Sequence, residues 1–178
     1  MFSNSHRLRA MLASSILVAG AGVASLSSAA PIKHPSTHVA HPACRASGLV
    51  NWLVTTGQNS AGITYYEVKF TNLSGHTCTI SGYPRVAGVS LTSTQVGLPA
   101  TNVSSPVHAL AIDNRSSVKA TIGIVSAAHY SVQSCHPVWA AGFRVYAPGQ
   151  SIGKIIPFPF AACATHAYSL LRIFPVTF

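Results

Sequence analysis

Few carboxylates of this chain are available for acid–base chemistry. Its 178 residues include only two acids, Glu67 and Asp113, whereas general acid–base hydrolysis of a glycosidic bond usually requires two converging carboxylates. Glu67 alternates with Lys69 on the polar face of a predicted strand, and Asp113 opens a predicted turn, where aspartate commonly bonds its own backbone. The sequence also lacks a Gly-x-Ser-x-Gly elbow and a glycine-rich phosphate loop. We therefore predict a non-enzymatic protein without a cofactor; a secreted hydrolase with an unrecognised site is the alternative.

The four cysteines are the residues best suited to covalent chemistry: Cys44, Cys78, Cys135 and Cys163. An even number of cysteines in an exported chain is typical of disulfides, and the absence of a Cys-x-x-Cys pair argues against a redox motif or a zinc knuckle. Four cysteines allow three pairings. We favour Cys44–Cys78 with Cys135–Cys163, because each bridge closes a short local loop. Loop-closure entropy alone would then contribute about 3.5–4 kcal/mol for each bridge.

Three histidines near the N-terminus are the candidates for metal chemistry. His34, His38 and His41 lie close together, and neutral imidazoles bind Zn²⁺, Cu²⁺ and Ni²⁺. Pro35 and Pro42 prevent a helix from presenting the three side chains on one face, and an unstructured segment loses conformational entropy when it binds. A polar spacer is therefore the favoured interpretation, and metal sequestration by these histidines is a second alternative.

Aromatic side chains are the candidates for a recognition surface. Tyr65 and Tyr146 are predicted on the outward faces of strands, and Tyr83 is predicted at a corner. Rigid aromatic area of this kind suits the binding of a glycan or a protein. The interpretation that we favour is that most aromatic residues build or cover the core. Those predicted to fill it are Trp52, Tyr66, Trp139 and Phe143.

Short strands must position these residues, because apolar and polar side chains alternate along most of the chain. In residues 65–70, for example, Tyr66, Val68 and Phe70 face one way and Tyr65 faces the other. Turn-forming residues separate the alternating runs, and residues 127–135 could hold one short helical turn. The predicted strands are 49–55, 65–70, 77–81, 86–91, 107–112, 118–125, 143–146 and 170–174. About eight short strands with regular turns predict an antiparallel β-sandwich.

The N-terminal residues resemble an export signal. Arg7 and Arg9 precede an apolar run, 11–26, and small residues follow it at 27–30. We predict a signal peptide over 1–30, a proline- and histidine-containing disordered linker over 31–43 and a folded domain over 44–178. No other segment is long and apolar enough to span a membrane as a helix. The predicted location is therefore extracellular, secreted or associated with the cell envelope.

The charge of the chain bears on its partners. The formal net charge is +9, and loss of Arg7 and Arg9 with the signal lowers it by two. This excess reflects missing acids, because the basic residues are scattered singly along the chain. A nucleic-acid surface requires a basic stripe, so we predict no nucleic-acid partner. Attraction to an anionic cell envelope or a polyanionic glycan is physically reasonable, and we predict a monomer.

One stretch, FTNLSGHTCTISGYPRV over 70–86, shows how a strand, a turn and a cysteine follow one another. The strand ends at Asn72, Gly75 supplies a turn residue that tolerates positive φ, and Pro84 ends the next strand. The stretch resembles the core motif of domain-of-unknown-function family 4232, and residues 144–149 (RVYAPG) resemble a later family segment. The matching motif residues are Asn72, Cys78, Ile80, Gly82, Tyr83, Pro84 and Val86.

The resemblance covers most of residues 44–178 and implies an immunoglobulin-like antiparallel β-sandwich outside the membrane. Members of this family are secreted or lipid-anchored proteins found mostly in actinobacteria. This chain departs from the family in two places: residues 113–117 replace a common Pro-Gly turn, and the lipid-anchor cysteine of many relatives is absent. The family brings no catalytic residues, which leaves binding or an envelope role as the expected function.

Overall fold

A computed structural model describes residues 40–178 of the chain. The predicted signal peptide, His34 and His38 lie outside these residues. The described part begins close to the end of the predicted linker, where Pro42 accepts a hydrogen bond from the Thr79 N–H (2.8 Å) and Ala43 forms a β-bridge with Thr79. The last two residues of the segment predicted as a linker are therefore bonded to the fold.

The described residues form eleven β-strands and little helix. The strands are β1 (Leu49–Ser60), β2 (Ile63–Asn72), β3 (Cys78–Ile80), β4 (Arg85–Val89), β5 (Gln95–Val96), β6 (Thr101–Asn102), β7 (Leu110–Ile112), β8 (Ser117–Val125), β9 (Pro137–Tyr146), β10 (Gly153–Cys163) and β11 (Leu171–Ile173). One four-residue α-helix, α1 (Val132–Cys135), and a 3₁₀ turn at Ala127–His129 occupy the region where a short helical turn was predicted.

The strands form two large sheets and one small sheet. The order is β1-β2-β8-β11-β6 in a five-stranded sheet, β10-β9-β4-β5 in a four-stranded sheet and β3-β7 in a two-stranded sheet. All neighbouring strands are antiparallel except β11 and β6. The two large sheets share one apolar core, as in a sandwich. The predicted all-β, largely antiparallel sandwich with two disulfides is confirmed.

Aromatic rings from both large sheets meet in the core. Phe143 of β9 is fully buried and stacks on Phe160 and Phe158 of β10, with ring centroids 4.7 and 5.8 Å apart. Tyr66 of β2 reaches across from the other sheet and packs edge-on against Phe158 at 4.8 Å. Such aromatic pairs contribute about 0.5–1.5 kcal/mol each beyond the area that they bury. They therefore join the two sheets at the centre of the domain.

The prediction that both tryptophans lie in the core is wrong, since Trp52 is 42% and Trp139 is 76% exposed. In β9 the alternation slips by one position, so that Ala140 and Phe143 both face inward and Trp139 faces out. The slip coincides with a bulge in the facing strand, where the register shifts between Pro157 and Phe160. If strict alternation is extended back from the buried Phe143, Trp139 is therefore assigned to the wrong face.

Trp52 lies on the outward face of β1 for a simpler reason. Leu49 and Leu53 of the same strand pack towards the core, and a residue three positions from Leu49 must face the other way. Asn51 is on the inward side, where its Nδ2 donates to the Val145 carbonyl oxygen at 3.4 Å. Because the inward-facing Asn51 is polar, the apolar pattern of the sequence did not show which face of β1 packs against the core.

Strand β10 was not predicted because it contains Pro157 and Pro159. Proline lacks the N–H that a strand donates to its neighbour, which normally ends a strand prediction. Here β10 is the outer strand of its sheet and pairs only with β9. A proline at a sheet edge removes no hydrogen bond when its nitrogen points away from the neighbouring strand, so the edge position accommodates both residues.

Two disulfides each connect a segment outside the sheets to a strand. They join Cys44 to Cys78 and Cys135 to Cys163, the two pairs favoured from the sequence, and no described cysteine is free. The first ties the N-terminal segment to β3. The second ties α1 to the end of β10 inside a smaller apolar cluster that includes Val125. All four cysteines are buried, so solvent reaches neither bridge readily.

Asn72, the polar residue of the motif at 70–86, is completely buried and fully hydrogen-bonded. Its Nδ2 donates to the carbonyl oxygens of Ile112 and His76, both at 2.8 Å, and its Oδ1 accepts from the Ser74 N–H at 3.0 Å. Its backbone N–H donates to the Ser116 carbonyl at 2.9 Å. One asparagine therefore holds the turn after β2 against the end of β7.

Candidate functional site

Each of the two acids contacts a structural partner. The Glu67 carboxylate on β2 forms an ion pair with Lys119 on β8, with 2.8 Å between Oε1 and Nζ. Asp113, in the loop between β7 and β8, accepts a hydrogen bond from the Thr77 hydroxyl at 2.7 Å. The first contact joins two neighbouring strands of the five-stranded sheet, and the second fixes a turn beside β3. Neither arrangement brings the two carboxylates to a common catalytic position.

Of the predicted metal ligands, only His41 belongs to the described residues, where it is half-buried just before the first β-bridge. Within residues 40–178, no group of three or more histidine, cysteine, aspartate or glutamate side chains is placed to hold a metal ion. The structure describes only one of the three histidines, so metal binding by His34, His38 and His41 stays a hypothesis from the sequence.

The three tyrosines predicted as binding residues lie in three separate places. Tyr65 of β2 packs edge-on against Phe174, with ring centroids 6.3 Å apart. Tyr146 of β9 lies beneath the Arg85 guanidinium, 4.3 Å from the ring centre. The Tyr83 hydroxyl donates to the Val103 carbonyl at 2.9 Å, which fixes a loop of the fold. Of the three, Tyr65 shares its surface with other side chains suited to recognition.

That surface, which we call the basic face, is the outward side of the five-stranded sheet. The strand register places Trp52 beside Lys69, Lys69 beside Lys119, and Glu67 beside Thr121. Tyr65 lies beside Gly123, which in turn pairs with Arg172 of β11. The outward residues that define the basic face are Trp52, Tyr65, Glu67, Lys69, Thr71, Ser117, Lys119, Thr121 and Arg172.

Contacts on the basic face fix the Trp52 ring. The indole N–H donates to the Thr71 hydroxyl at 3.0 Å, and the Thr71 and Ser117 hydroxyl oxygens are 2.8 Å apart. The Lys69 ammonium lies over the ring, 5.1 Å from its centre, in a cation–π contact. The tryptophan therefore stays 42% exposed while its orientation is held.

The charges of the basic face are unbalanced. Lys69 and Lys119 are direct cross-strand neighbours, an arrangement in which two like charges destabilise a sheet. Glu67 neutralises only Lys119. Arg172 points outward from β11, whose Leu171 and Ile173 are buried. The face therefore carries more positive than negative charge.

A groove of about 340 Å³ opens at one end of the basic face. Its lining includes the side chains of Gln58, Tyr65, Glu67 and Thr121. The groove occurs where the pairing of β1 with β2 shifts between Val54 and Gln58. The bulge separates the strands locally and so creates a concave site with several hydrogen-bonding groups beside an aromatic ring.

A second exposed surface surrounds Trp139 on the four-stranded sheet. Leu91 is 94% exposed and borders, with Trp139 and Pro159, a groove of about 280 Å³. Another groove, of about 460 Å³, lies on the other side of the tryptophan and is lined by Tyr130 and Val138 among others. This surface is apolar, in contrast to the basic face.

The exposure of both tryptophans predicts the fluorescence of the folded protein. We expect emission at the long wavelengths typical of solvated indole, strong quenching by acrylamide and little further red shift on unfolding in guanidinium chloride. Trp139→Phe should remove more of the quenchable signal than Trp52→Phe, because Trp139 is 76% and Trp52 is 42% exposed. Short-wavelength emission that shifts strongly on unfolding would contradict the outward placement.

The fold defines a largely antiparallel β-sandwich domain with two disulfides. Among the described residues, no helix has the length and apolarity that a membrane span requires. The family model described as "Domain of unknown function (DUF4232)" matches residues 44–175, and the chain belongs to this family. The family resemblance found in the sequence is thus confirmed. No curated protein and no solved structure matches the chain.

Proposed function

We propose that this chain is an exported, non-enzymatic domain that binds a component of the cell envelope. Export is supported by the signal-like pattern over 1–30 and by two disulfides, which form and persist in oxidising compartments outside the cytoplasm. The non-enzymatic role is supported by the engagement of Glu67 with Lys119 and of Asp113 with Thr77. Both acids have structural partners, and they are the only acids in the chain.

The observation that supports binding most directly is the basic face. Trp52 is exposed on the five-stranded sheet, its ring is held by Thr71 and Lys69, and Tyr65 projects from the adjacent strand on the same side. Aromatic rings whose orientation is fixed before binding lose little entropy when a ligand stacks on them. A surface of this kind is suited to recognition more than to catalysis.

Co-sedimentation with envelope material tests this function. The exported chain would be incubated with insoluble envelope isolated from the producing organism, and the protein in the pellet would be measured across a range of concentrations. We expect saturable binding that Trp52→Ala weakens about tenfold, which corresponds to about 1.4 kcal/mol. Trp139→Ala is the matched control, because it removes the same side chain from the other sheet and should leave this binding unchanged.

Two outcomes would count against the proposal. If no saturable fraction sediments, or if both tryptophan variants lose binding equally, the basic face is not the binding surface. The same mixtures would be assayed for soluble fragments released from the envelope. Release in proportion to protein concentration would instead favour the hydrolase.

A further inference from the structure

We propose that the ligand of the basic face is an acidic polysaccharide, a chain of sugar rings that carries regularly spaced carboxylate, phosphate or sulfate groups. This inference rests on the proposed binding function and names the class of ligand for that site. Three features of the face support it: a pair of adjacent lysines of which Glu67 neutralises only one, an aromatic ring held in place, and several hydroxyl groups.

The lysine pair supplies the charge complementarity. Lys69 and Lys119 are adjacent on neighbouring strands, so their Cβ atoms are about 5 Å apart, and Glu67 pairs with only one of them. An anionic group bound between the two ammonium groups would relieve their repulsion. Arg172 extends the positive charge across the sheet to β11, in register with Gly123. Several anions along a polymer could therefore be contacted at once.

The aromatic residues and hydroxyl groups suit the sugar rings. Trp52 is level with Lys69 on the adjacent strand, and Tyr65 lies about 13 Å from Lys69 along β2 at the usual rise of a strand. The Thr71 and Ser117 hydroxyls beside Trp52 can bond ring hydroxyls of a ligand. At the Tyr65 end, the groove adds the Gln58 amide and the Glu67 carboxylate.

Two other anionic partners fit the basic face less well. Binding to a membrane surface relies on bulky apolar side chains that enter the lipid, whereas the outward face of β1 carries only Val50 and Val54 beside a Trp52 ring that Thr71 and Lys69 hold in place. Nucleic acid requires a dense basic track to neutralise a phosphate at every nucleotide. A polysaccharide with spaced charges and exposed ring faces matches both the number of cations and the tryptophan.

Affinity measurements with defined polymers test the proposal. The exported chain would be titrated with polygalacturonate, which carries carboxylates, with dextran sulfate and with neutral dextran. We expect binding to one or both anionic polymers, weaker binding as salt rises and none to neutral dextran. Lys69→Gln alone should weaken the binding several-fold, and its combination with Arg172→Gln should weaken it about tenfold or more. Trp52→Ala should also weaken it, while Trp52→Phe largely retains it.

Arg45→Gln is the matched control for charge, because Arg45 is an exposed cation outside the five-stranded sheet. It changes the net charge by one, as does Lys69→Gln, and it should leave affinity within about twofold of the wild type. Lys69→Gln removes a like-charge neighbour of Lys119 but also the cation–π contact with Trp52; these effects oppose each other, so the variant should remain folded with a melting temperature close to that of the parent. Thermal unfolding of each variant would confirm this.

Several results would overturn the proposal. These are a failure to bind either anionic polymer, equal loss of binding by Arg45→Gln and Lys69→Gln, and binding to phosphatidylglycerol vesicles without binding to the soluble polymers. If neither polymer binds but envelope sedimentation persists and still depends on Trp52, the polysaccharide assignment is wrong and the binding function stands. If sedimentation is also lost, both are wrong.

Discussion

Replacement of Asn72 by alanine is expected to lower the free energy of unfolding by about 3 kcal/mol and the melting temperature by about 10 °C. The substitution removes both donors from the carbonyl oxygens of Ile112 and His76 and the acceptor from the Ser74 N–H. The side chain is completely buried, so water cannot readily replace these bonds. Guanidinium or thermal unfolding followed by circular dichroism would measure the loss.

Two further variants sharpen this test. Asn114→Ala is the control, because Asn114 is exposed and accepts one hydrogen bond, from the Gly75 N–H at 3.0 Å; its loss should cost less than about 1 kcal/mol. Asn72→Asp keeps an acceptor for Ser74 but places a buried carboxylate against two carbonyl oxygens. Burial raises the pKa of such a carboxyl, so the variant should be less destabilised at pH 4 than at pH 7. Equal stability of Asn72→Ala and Asn114→Ala would contradict the structural role of Asn72.

Loss of the Cys44–Cys78 bridge through the double substitution Cys44→Ala and Cys78→Ala should lower the free energy of unfolding by about 3–4 kcal/mol. The bridge spans a sequence separation of 34 residues and connects the N-terminal segment to β3. Without it the unfolded chain gains conformational freedom, and two buried sulfur atoms leave the core. Denaturant unfolding in non-reducing buffer would measure the effect.

The second bridge provides a comparison. Its sequence separation of 28 residues predicts a similar entropic contribution, but its cysteines lie in the smaller apolar cluster with Val125. We expect the Cys135→Ala and Cys163→Ala variant to show increased hydrogen exchange mainly around α1 and the end of β10. Thiol titration of the denatured, unreduced wild-type protein should find no free thiols. Two free thiols would show that one of the bridges does not form, and four would show that neither does.

Much of the fold could be predicted because its central strands follow a simple alternation. The predicted strand at 118–125 falls within β8 and that at 65–70 within β2, where Val68 and Phe70 are buried as expected. The two-residue strands β5 and β6 are too short to show any period. Trp139 faces outward because the alternation in β9 slips beside a bulge in the neighbouring strand β10. The sequence of β9 alone does not show where β10 bulges, so this direction could not be predicted.

The candidate site was predicted only in part. Tyr65 could be assigned to an outward face from the alternation in β2, and the structure places it there beside Gly123. The lysine pair could not be found in this way, because Lys69 and Lys119 lie far apart in sequence and read as isolated charges. Only the register between β2 and β8 makes them neighbours. The sequence did show that each lysine alternates with apolar residues in a strand, which places both side chains on outward faces.

The outer strands of the two large sheets have a consequence for how this protein behaves in concentrated surroundings. Strands β5 and β6 are only two residues long, the register of β1 shifts between Val54 and Gln58, and β10 carries Pro157 and Pro159 beside a bulge. An unpaired edge can template a strand of another molecule and so start a fibril, whereas short, bulged or proline-containing edges discourage such growth. Each margin of the sandwich therefore has its own protection against aggregation, and we expect the folded chains to remain separate.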